Sequence, residues 1–434
     1  MARVMPRIPD SLSFMRGNML VFTVTRILGQ FGRSMAFPYA SLYILALGGE
    51  PAQIGLVNSL APLAGLLVFP LAGYITDNAG RVRIIGIASF VSGLGYLLHV
   101  TAQRWEVIAI SVFIHGFMVI QFPPQSALIA DSLAPHDRGR GMALMDSLGS
   151  LPAMVAPYVA GLVISLFGVD PGMRYLYAFL VFAYTTAGWM DLRFLRETTT
   201  PNPNNGLRLR ESWRIIREAY AGIPDTLRQL PRSIRALAVI IILCFVSNAI
   251  VGPFWVVYAV THLGLSTVEW GLILLVETVL RTLVAVPAGV MVDRYGRTRF
   301  MVLALVLALI GVPTFILARS FALILALRAV IAVSNAFFGP AASALLADTV
   351  PRDMRGRVMA ALGRGSVWLG SSGGGTGGPG LGFLIILPLF FASLGAGYLY
   401  DARPTAPWLV AGVAIVICLG LTLGFIRDPQ NAEL

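Results

Sequence analysis

The sequence predicts an all-α membrane protein with twelve transmembrane helices in two homologous six-helix bundles and with both chain termini in the cytoplasm. Three observations predict this fold class. The 434-residue chain is 57% hydrophobic and only 12% charged, it contains twelve long apolar runs, and a charged motif of its first half returns in its second half. Because ordinary soluble proteins carry roughly a quarter charged residues, this composition excludes a soluble fold.

The apolar runs justify the helices in order. A helix that crosses about 30 Å of hydrocarbon needs about 20 mostly apolar residues. Such runs fall six on each side of a polar stretch, which predicts an N-terminal bundle at 1–195, a cytoplasmic linker at 196–235 and a C-terminal bundle at 236–434. The runs cover 17–46, 52–76, 82–101, 106–130, 141–168, 173–195, 236–261, 267–292, 299–318, 321–347, 380–400 and 405–426.

The placement of arginine predicts the orientation. All 32 basic residues are arginine, and the net charge is +11. Twenty-four of them lie in the tails, the linker and the loops of one side, and four lie in the loops of the other side. Positive charge accumulates on the cytoplasmic side of membrane proteins, so both termini and the linker are expected in the cytoplasm. This distribution favours a membrane, and not a nucleic acid, as the partner of the basic residues.

The linker contains a candidate membrane-surface helix. Residues 207–223 alternate arginines with Leu209, Trp213, Ile216 and Tyr220 at helical spacing. This pattern favours a helix that lies on anionic lipid headgroups. A binding site for a regulatory partner is the alternative.

A repeated turn connects the two halves. The stretch GYITDNAGRVR at 73–83 returns as GVMVDRYGRTR at 289–299, and SALIADSLAPHDRGR at 126–140 returns as SALLADTVPRDMRGR at 343–357. The offsets are 216 and 217 residues, which indicates a duplicated six-helix unit whose copies share one orientation. The residues that correspond are Gly73, Asp77, Gly80, Arg81 and Arg83 in the first copy, and Gly289, Asp293, Gly296, Arg297 and Arg299 in the second.

The turn between the second and third helices, Gly-x-x-x-Asp-x-x-Gly-Arg-x-Arg, is similar to the most specific sequence mark of the major facilitator superfamily. The chain resembles that superfamily over essentially its whole length. The resemblance implies two bundles that rock about a central cavity and give alternating access to a small solute. It also implies a protein that works as a monomer in the cytoplasmic membrane.

The residue types of the turn suit a gate. Asp77 would end the second helix, where a carboxylate can face the positive N-terminus of a neighbouring helix. Gly80 allows a sharp reversal, and Arg81 and Arg83 can reach carboxylates or headgroups. The resemblance implies that the two turns form a latch between the bundles. A loop that only sets the topology is the alternative.

The stretch GSSGGGTGGPG at 370–380 departs from the repeat, since the second half carries roughly sixteen extra residues there. A single helix from Arg357 to Asp401 would be about 66 Å long, twice the thickness of a bilayer. We therefore expect an interfacial helix at 358–369 and a glycine hinge before the eleventh membrane helix. A phosphate-binding loop is disfavoured because the chain has no lysine.

Charged residues inside a bilayer are expensive, so each is a candidate for function. Arg26 lies about 15 Å along the first helix from Arg16, and Gln30 and Arg33 follow on the same face. These three are expected to line the cavity, or else to pair with a neighbouring carbonyl or carboxylate.

The eighth helix carries a charged pair at i,i+4, Glu277 and Arg281, whose first-half counterparts are Ala61 and Gly65. Residues at this spacing can pair on one helix face. Because the pair is present in one half only, Glu277 is our candidate for a proton-coupling carboxylate. A purely structural ion pair is the alternative.

Three further polar positions at mid-depth are candidates. His115 and Gln121 are expected either to line the cavity or to form hydrogen bonds between helices. Proton-coupled exporters of the superfamily carry Arg-x-x-Gln-Gly in the fourth helix, where this chain has Val112-x-x-His115-Gly116. Arg328, 216 residues after Val112, carries the arginine in the second half instead. The fifth helix has APYVAG at 156–161, similar to the exporters' Gly-Pro-x-x-Gly-Gly.

These features favour a secondary transporter that exports amphipathic compounds, with protons as the candidate coupling ion in an antiport. An importer of a sugar-like solute or organic anion and a non-transporting membrane sensor are the alternatives. No cofactor or metal is expected, because Cys244 and Cys418 lie in apolar runs and the four histidines are scattered. No pattern typical of an enzyme is present.

Overall fold

The fold is described from a computed structural model. The description covers residues 14–78, 80–198, 232–350 and 382–428, together with 358, 361, 362, 369 and 370. The side chains of 69–78 and 383 lie outside it. So do the expected surface helix at 207–223 and all but the first residue of the glycine-rich stretch at 370–380.

Every described element of secondary structure is a helix, in keeping with the predicted fold class. The first half contains α1 (Asn18–Ala36), α2 (Ala40–Ala46), α3 (Pro51–Asn78), α4 (Arg81–Thr101), α5 (Trp105–Phe117), α6 (Phe122–Asp131), α7 (Arg138–Phe167) and α8 (Val169–Phe194).

The second half repeats this order. It contains α9 (Arg232–Val251), α10 (Phe254–Thr261), α11 (Thr267–Tyr295), α12 (Arg297–Thr314), α13 (Phe321–Thr349), α14 (Phe383–Ala402) and α15 (Ala406–Phe425). Ten of the described helical segments are long and apolar enough to cross a membrane. Two of the predicted runs are not among these ten. They are the first run, which contains α1 and α2, and the sixth run, which contains most of α8. The count of twelve spans therefore stays a prediction.

Three of the runs predicted as single helices are interrupted. A 3₁₀ turn at Phe37–Tyr39 separates α1 from α2, and another at Met118–Gln121 separates α5 from α6. A two-residue break, Gly252 with Pro253, separates α9 from α10. Pro38 and Pro253 lie in the first and third interruptions, and Pro123 is the second residue of α6 after the other. The missing N–H and fixed φ of proline disfavour a continuous helix.

The turns that carry the repeated motif lie at one end of the molecule, which we call the arginine-rich end (residues 80–83 and 296–299). The turns at 47–50, 102–104 and 262–266 lie at the opposite end. At this opposite end α11 begins with a capping box, in which Ser266 and Glu269 satisfy each other's backbone N–H groups. Gly296 begins α12 with φ of 104°, a conformation that favours glycine.

The two halves contact each other closely at the opposite end, where α3 crosses α14. Gly55 and Gly397 face each other at this crossing. A Cβ atom added to Gly397 would lie 2.6 Å from the carbonyl oxygen of Pro51 and 2.8 Å from the Cα of Ala52. The backbones therefore approach as closely as glycine permits.

A second crossing, of α7 with α11, lies at the same end. Gly161 and Gly271 each approach the backbone of the partner helix. The Tyr39 hydroxyl lies 2.9 Å from the carbonyl oxygen of Pro157 and 3.0 Å from that of Thr267, so it links the two halves. The contact between the halves is thus built from backbone atoms at both crossings.

The same helix faces are exposed towards the arginine-rich end. Ser150 and Ser147 lie three and four turns from Gly161 on its face of α7, and both are exposed. Thr282 and Val286 lie three and four turns from Gly271 on α11, and both are exposed as well. Along α7 and α11 the halves therefore touch at the opposite end and separate towards the arginine-rich end.

Candidate functional site

The first repeated turn is held by residues of its own half. Gly80 precedes α4, and the Arg81 guanidinium lies 2.6 Å from the Asp131 carboxylate at the end of α6. The backbone N–H of Val82 donates to the Glu197 carboxylate, at 3.1 Å. Arg83 is exposed. A carboxylate at the N-terminus of α4 is favourable because that end of the helix carries partial positive charge.

The second turn repeats the arrangement. Arg297 forms an ion pair with Asp348 at the end of α13, the counterpart of the Arg81–Asp131 pair. The backbone N–H and hydroxyl of Thr298 donate to Asp428, which follows α15, at 2.9 and 3.0 Å. Asp293 and Arg299 are exposed.

The expected latch would join the two bundles, whereas the contacts of the two turns described above do not. Each arginine pair joins elements within one half, so the described side chains of the turns stabilise each half separately in this conformation. The side chain of Asp77 and the surroundings of Gly73 lie outside the description. A role of Asp77 as a latch stays a prediction.

In the first half, Arg26 and Arg33 of α1 contact different helices and different kinds of partner. The Arg26 guanidinium lies 2.7 Å from the Asp146 carboxylate of α7, and both side chains are more than a third exposed. Arg33 donates to the Tyr184 hydroxyl of α8 at 2.6 Å and to the Gln30 side-chain oxygen at 2.9 Å. Arg26 therefore has a carboxylate partner, whereas the described partners of Arg33 are neutral.

A polar aromatic cluster continues from Arg33 into the first half. The Tyr96 ring lies 5.2 Å from the Tyr184 ring and 4.1 Å from the His115 ring, measured between centroids. The two ring nitrogens of His115 lie 2.8 Å from the carbonyl oxygen of Ser111 and 3.1 Å from that of Ser92. His115 therefore joins α4 to α5, as expected for an interhelical hydrogen bond.

Gln121 lies in the 3₁₀ turn between α5 and α6 and is half-buried. The structure thus brings Gln30, Arg33 and His115 into one connected region of the first half. Arg26 lies beside it on the Asp146 side.

In the second half, Arg328 forms an ion pair with Glu277 across helices. Its Nε atom lies 3.0 Å from Glu277 Oε2, and its Nη2 atom contacts the same oxygen. Arg328 is fully buried and Glu277 is almost fully buried. The Trp255 and Trp270 rings lie 4.5 and 5.6 Å from the guanidinium carbon, so cation–π contacts add to the pair.

The predicted pairing of Glu277 with Arg281 therefore omitted a main partner, Arg328 of α13. Glu277 and Arg328 are each present in the second half only, since their counterparts are Ala61 and Val112. This pair could have been predicted from the sequence, because one negative and one positive residue are both present in the second half where the first half has uncharged residues.

The chain before α14 also enters this region. The Asn335 side chain donates to the Leu369 carbonyl oxygen at 2.8 Å and accepts from its N–H at 2.6 Å. Arg328 donates to the carbonyl oxygen of Gly370 at 2.7 Å. Gly370 has φ of 65°, which favours glycine.

The description covers four residues of the interfacial helix expected at 358–369, so its position stays a prediction. Val358, Ala361, Leu362 and Leu369 are all buried. The Asn335 side chain of α13 satisfies both polar backbone groups of Leu369, as a buried position requires. The sequence signal for this contact was weak, because an Asn in a membrane helix has many possible partners.

No group of three or more metal-ligating side chains occurs among the described residues. The buried ionisable groups lie instead between helices, and each half of the molecule contains some of them. This arrangement suits recognition of a solute or a proton within a membrane.

A model of the Major Facilitator Superfamily matches residues 22–231 and 237–433. This chain belongs to the major facilitator superfamily. As a superfamily member it is a multi-pass membrane transporter of small solutes, not an enzyme. The resemblance inferred from the repeated turn is confirmed.

Several superfamily members are similar to this chain at low sequence identity. The multidrug resistance protein MdtG of Salmonella typhi is 24% identical over 335 residues, which cover 75% of this chain and 79% of MdtG. A bacterial homologue of the human lysosomal transporter Spinster, in an inward-facing and occupied conformation, has a TM-score of 0.67 at 12% identity and covers 93% of this chain and 95% of its own.

The human organic anion transporter MFSD10 has a TM-score of 0.61 at 16% identity, covering 94% of this chain and 100% of its own. At these identities the likeness to the solved structures establishes the fold alone.

Proposed function

We propose that this transporter exports small amphipathic compounds through the cytoplasmic membrane by alternating access, in exchange for protons. The observation that carries the proposal is the one-ended contact between the halves. Backbone contacts at Gly55, Gly397, Gly161 and Gly271 hold the opposite end together, while the facing surfaces of α7 and α11 are exposed towards the arginine-rich end. Reversal of this contact would move a central cavity from one side to the other. The similarity to MdtG supports export.

The distribution of arginine supports a cytoplasmic location for the arginine-rich end, with both termini and the linker on that side. On this orientation the described conformation opens to the cytoplasm, as an exporter needs for loading. The exposed arginines at that end, Arg83, Arg138, Arg140 and Arg299, would meet anionic headgroups. The proposal includes twelve spans and a monomer as the working unit.

Glu277 is the proposed site of the coupling proton. In this conformation its carboxylate lies against the Arg328 guanidinium. Protonation would remove the negative charge that Arg328 faces, which destabilises a buried pair. Arg328 also donates to the carbonyl oxygen of Gly370. A movement of the Arg328 side chain would therefore also move Gly370, which precedes α14. Proton binding would thereby disfavour this conformation.

The test uses inverted membrane vesicles with an acidic lumen and two fluorescent amphipathic dyes of opposite charge, the cation rhodamine 6G and the anion 8-anilinonaphthalene-1-sulfonate. An exporter that exchanges protons accumulates dye in the lumen. Glu277→Gln should abolish this accumulation but retain dye exchange between the two sides without a gradient. Glu269→Gln is the matched control, because the same helix carries it at its exposed end and glutamine also forms a capping box. Normal pH-driven accumulation by Glu277→Gln would refute the assignment.

A second candidate, uptake of an organic anion, is favoured by one observation: Arg33 contacts neutral partners. The direction of flux separates the candidates. An importer driven by protons would accumulate solute in intact cells and would expel it from inverted vesicles with an acidic lumen.

A further inference from the structure

We propose that Arg33 binds the anionic group of the transported solute, so that this transporter takes amphipathic aromatic anions. The inference rests on the proposed transport function and narrows its substrate class. It starts from charge. Among the described residues, the acceptors of the Arg33 guanidinium are the Tyr184 hydroxyl and the Gln30 side-chain oxygen, and both groups are neutral.

The other arginines within the membrane spans differ from Arg33. Arg26 lies against Asp146, Arg328 lies against Glu277, and Arg281 lies one helical turn from Glu277 on α11. An ionised group at membrane depth is costly, and the cost falls when an opposite charge faces it. Arg33 is therefore the arginine at this depth that stands to gain most from an incoming anion.

The guanidinium also has the donors for such a ligand. Its five N–H groups form a planar fork that matches a carboxylate with two parallel hydrogen bonds. One hydrogen bond goes to Tyr184 and one to Gln30, which leaves three N–H groups without an acceptor among the described residues. These two contacts also hold the fork in position before the ligand arrives.

The depth of Arg33 argues against a lipid headgroup as the ligand. Arg33 follows Arg16 by seventeen residues, which is about 26 Å along a helix. Fourteen residues, or about 21 Å, separate Arg33 from the turn at 47–50 at the opposite end, so a phosphate group of either leaflet lies too far away. Arg33, Gln30 and Tyr184 are all half-buried, so the rest of the protein leaves part of each side chain uncovered.

The surroundings favour an aromatic anion over a small inorganic one. The Tyr184 ring, whose hydroxyl accepts from Arg33, lies 5.2 Å from the Tyr96 ring. Aromatic faces next to a guanidinium bind a flat apolar body while the fork binds its carboxylate. A hydrated chloride or phosphate would gain nothing from these rings.

The test compares 2-naphthoate with its neutral analogue 2-naphthamide, bound to the purified full-length protein in nanodiscs and measured by calorimetry. The wild type should bind the naphthoate at least tenfold more tightly, which corresponds to about 1.4 kcal/mol. Arg33→Gln should weaken naphthoate binding about tenfold and leave naphthamide unchanged, while Arg33→Lys should retain part of the preference. Arg104→Gln, which removes an exposed arginine of a connecting loop, is the charge control and should bind both probes as the wild type does.

Equal affinity for the two probes in the wild type would overturn the inference, as would an undiminished preference in Arg33→Gln. The dye assay in vesicles separates this failure from failure of the proposed transport. If dye is pumped but naphthoate is not preferred over naphthamide, the anion site at Arg33 is refuted and the proposed transport is supported. If naphthoate binds through Arg33 but no dye accumulates with a pH gradient, the anion site is supported and proton-driven export is refuted.

Discussion

The crossing of α3 with α14 predicts that Gly397→Ala shifts the protein towards the state that is open at the opposite end. The new Cβ would lie 2.6 Å from the carbonyl oxygen of Pro51 and 2.8 Å from the Cα of Ala52. Ordinary C···O contacts are about 3.3 Å or longer, so the helices must separate by about 0.7 Å. Both obstacles are backbone atoms and cannot rotate away.

Overpacking of this kind costs about 1–3 kcal/mol. The strain acts on the closed state, because the open state separates these helices. A free-energy difference of 1–3 kcal/mol changes a two-state equilibrium about 5- to 150-fold. Gly395→Ala is the matched control, since it makes the same change two residues away on α14, where an added Cβ meets no atom within 4 Å.

Labelling of a single cysteine measures the shift. Ser59 lies one turn from Gly55 on α3 and is fully buried beneath the crossing, so Ser59→Cys reports opening at this end. Cys244 and Cys418 are both buried and would be replaced to give a clean background. An impermeant methanethiosulfonate reagent, added to intact cells, should label the reporter 5- to 150-fold faster with Gly397→Ala. An unchanged rate, or an equal rise with Gly395→Ala, would refute the reasoning.

Three further predictions follow from contacts within the halves and from the orientation. Asn335→Leu should lower the free energy of unfolding by about 2–4 kcal/mol in a denaturant titration, since it strands the N–H and carbonyl of Leu369 in the interior; a loss below 0.5 kcal/mol would contradict it. Gly95→Ala should cost about 1–3 kcal/mol in the same titration, because its Cβ would lie 2.5 Å from the His115 ring; wild-type stability would show that the ring relaxes freely. A cysteine in place of His262 should react with an impermeant reagent in intact cells, and protection there until the membrane is permeabilised would reverse the proposed orientation.

Much of the fold was predictable because its signals are local in the sequence. Apolar runs of membrane length predicted the helices that the structure describes, and the constant offset of the repeated turn predicted the correspondence between the halves. The breaks at Pro38, Pro123 and Pro253 were missed, although each proline was visible, because an apolar run alone does not distinguish a straight helix from an interrupted one.

The candidate sites were harder to predict because their contacts join distant helices. Arg26, Arg33, Glu277 and Arg328 were singled out from their depth in apolar runs, which needs no knowledge of neighbours. Their partners depend on how each helix is rotated about its axis. The pair of Glu277 with Arg328, 51 residues apart, therefore emerged only with the packing of α11 against α13.

By itself the sequence determined the membrane class, the duplication and the superfamily, because hydrophobic length and repeated spacing survive without any tertiary contact. Only the tertiary structure decided that Arg81 and Arg297 bind carboxylates of their own halves, and that Arg33 faces neutral partners. It also decided which end of the molecule is closed. The physical reason is that alternating access is a choice between packings of one sequence, and such a choice lies in the contacts between helices, not in the helices themselves.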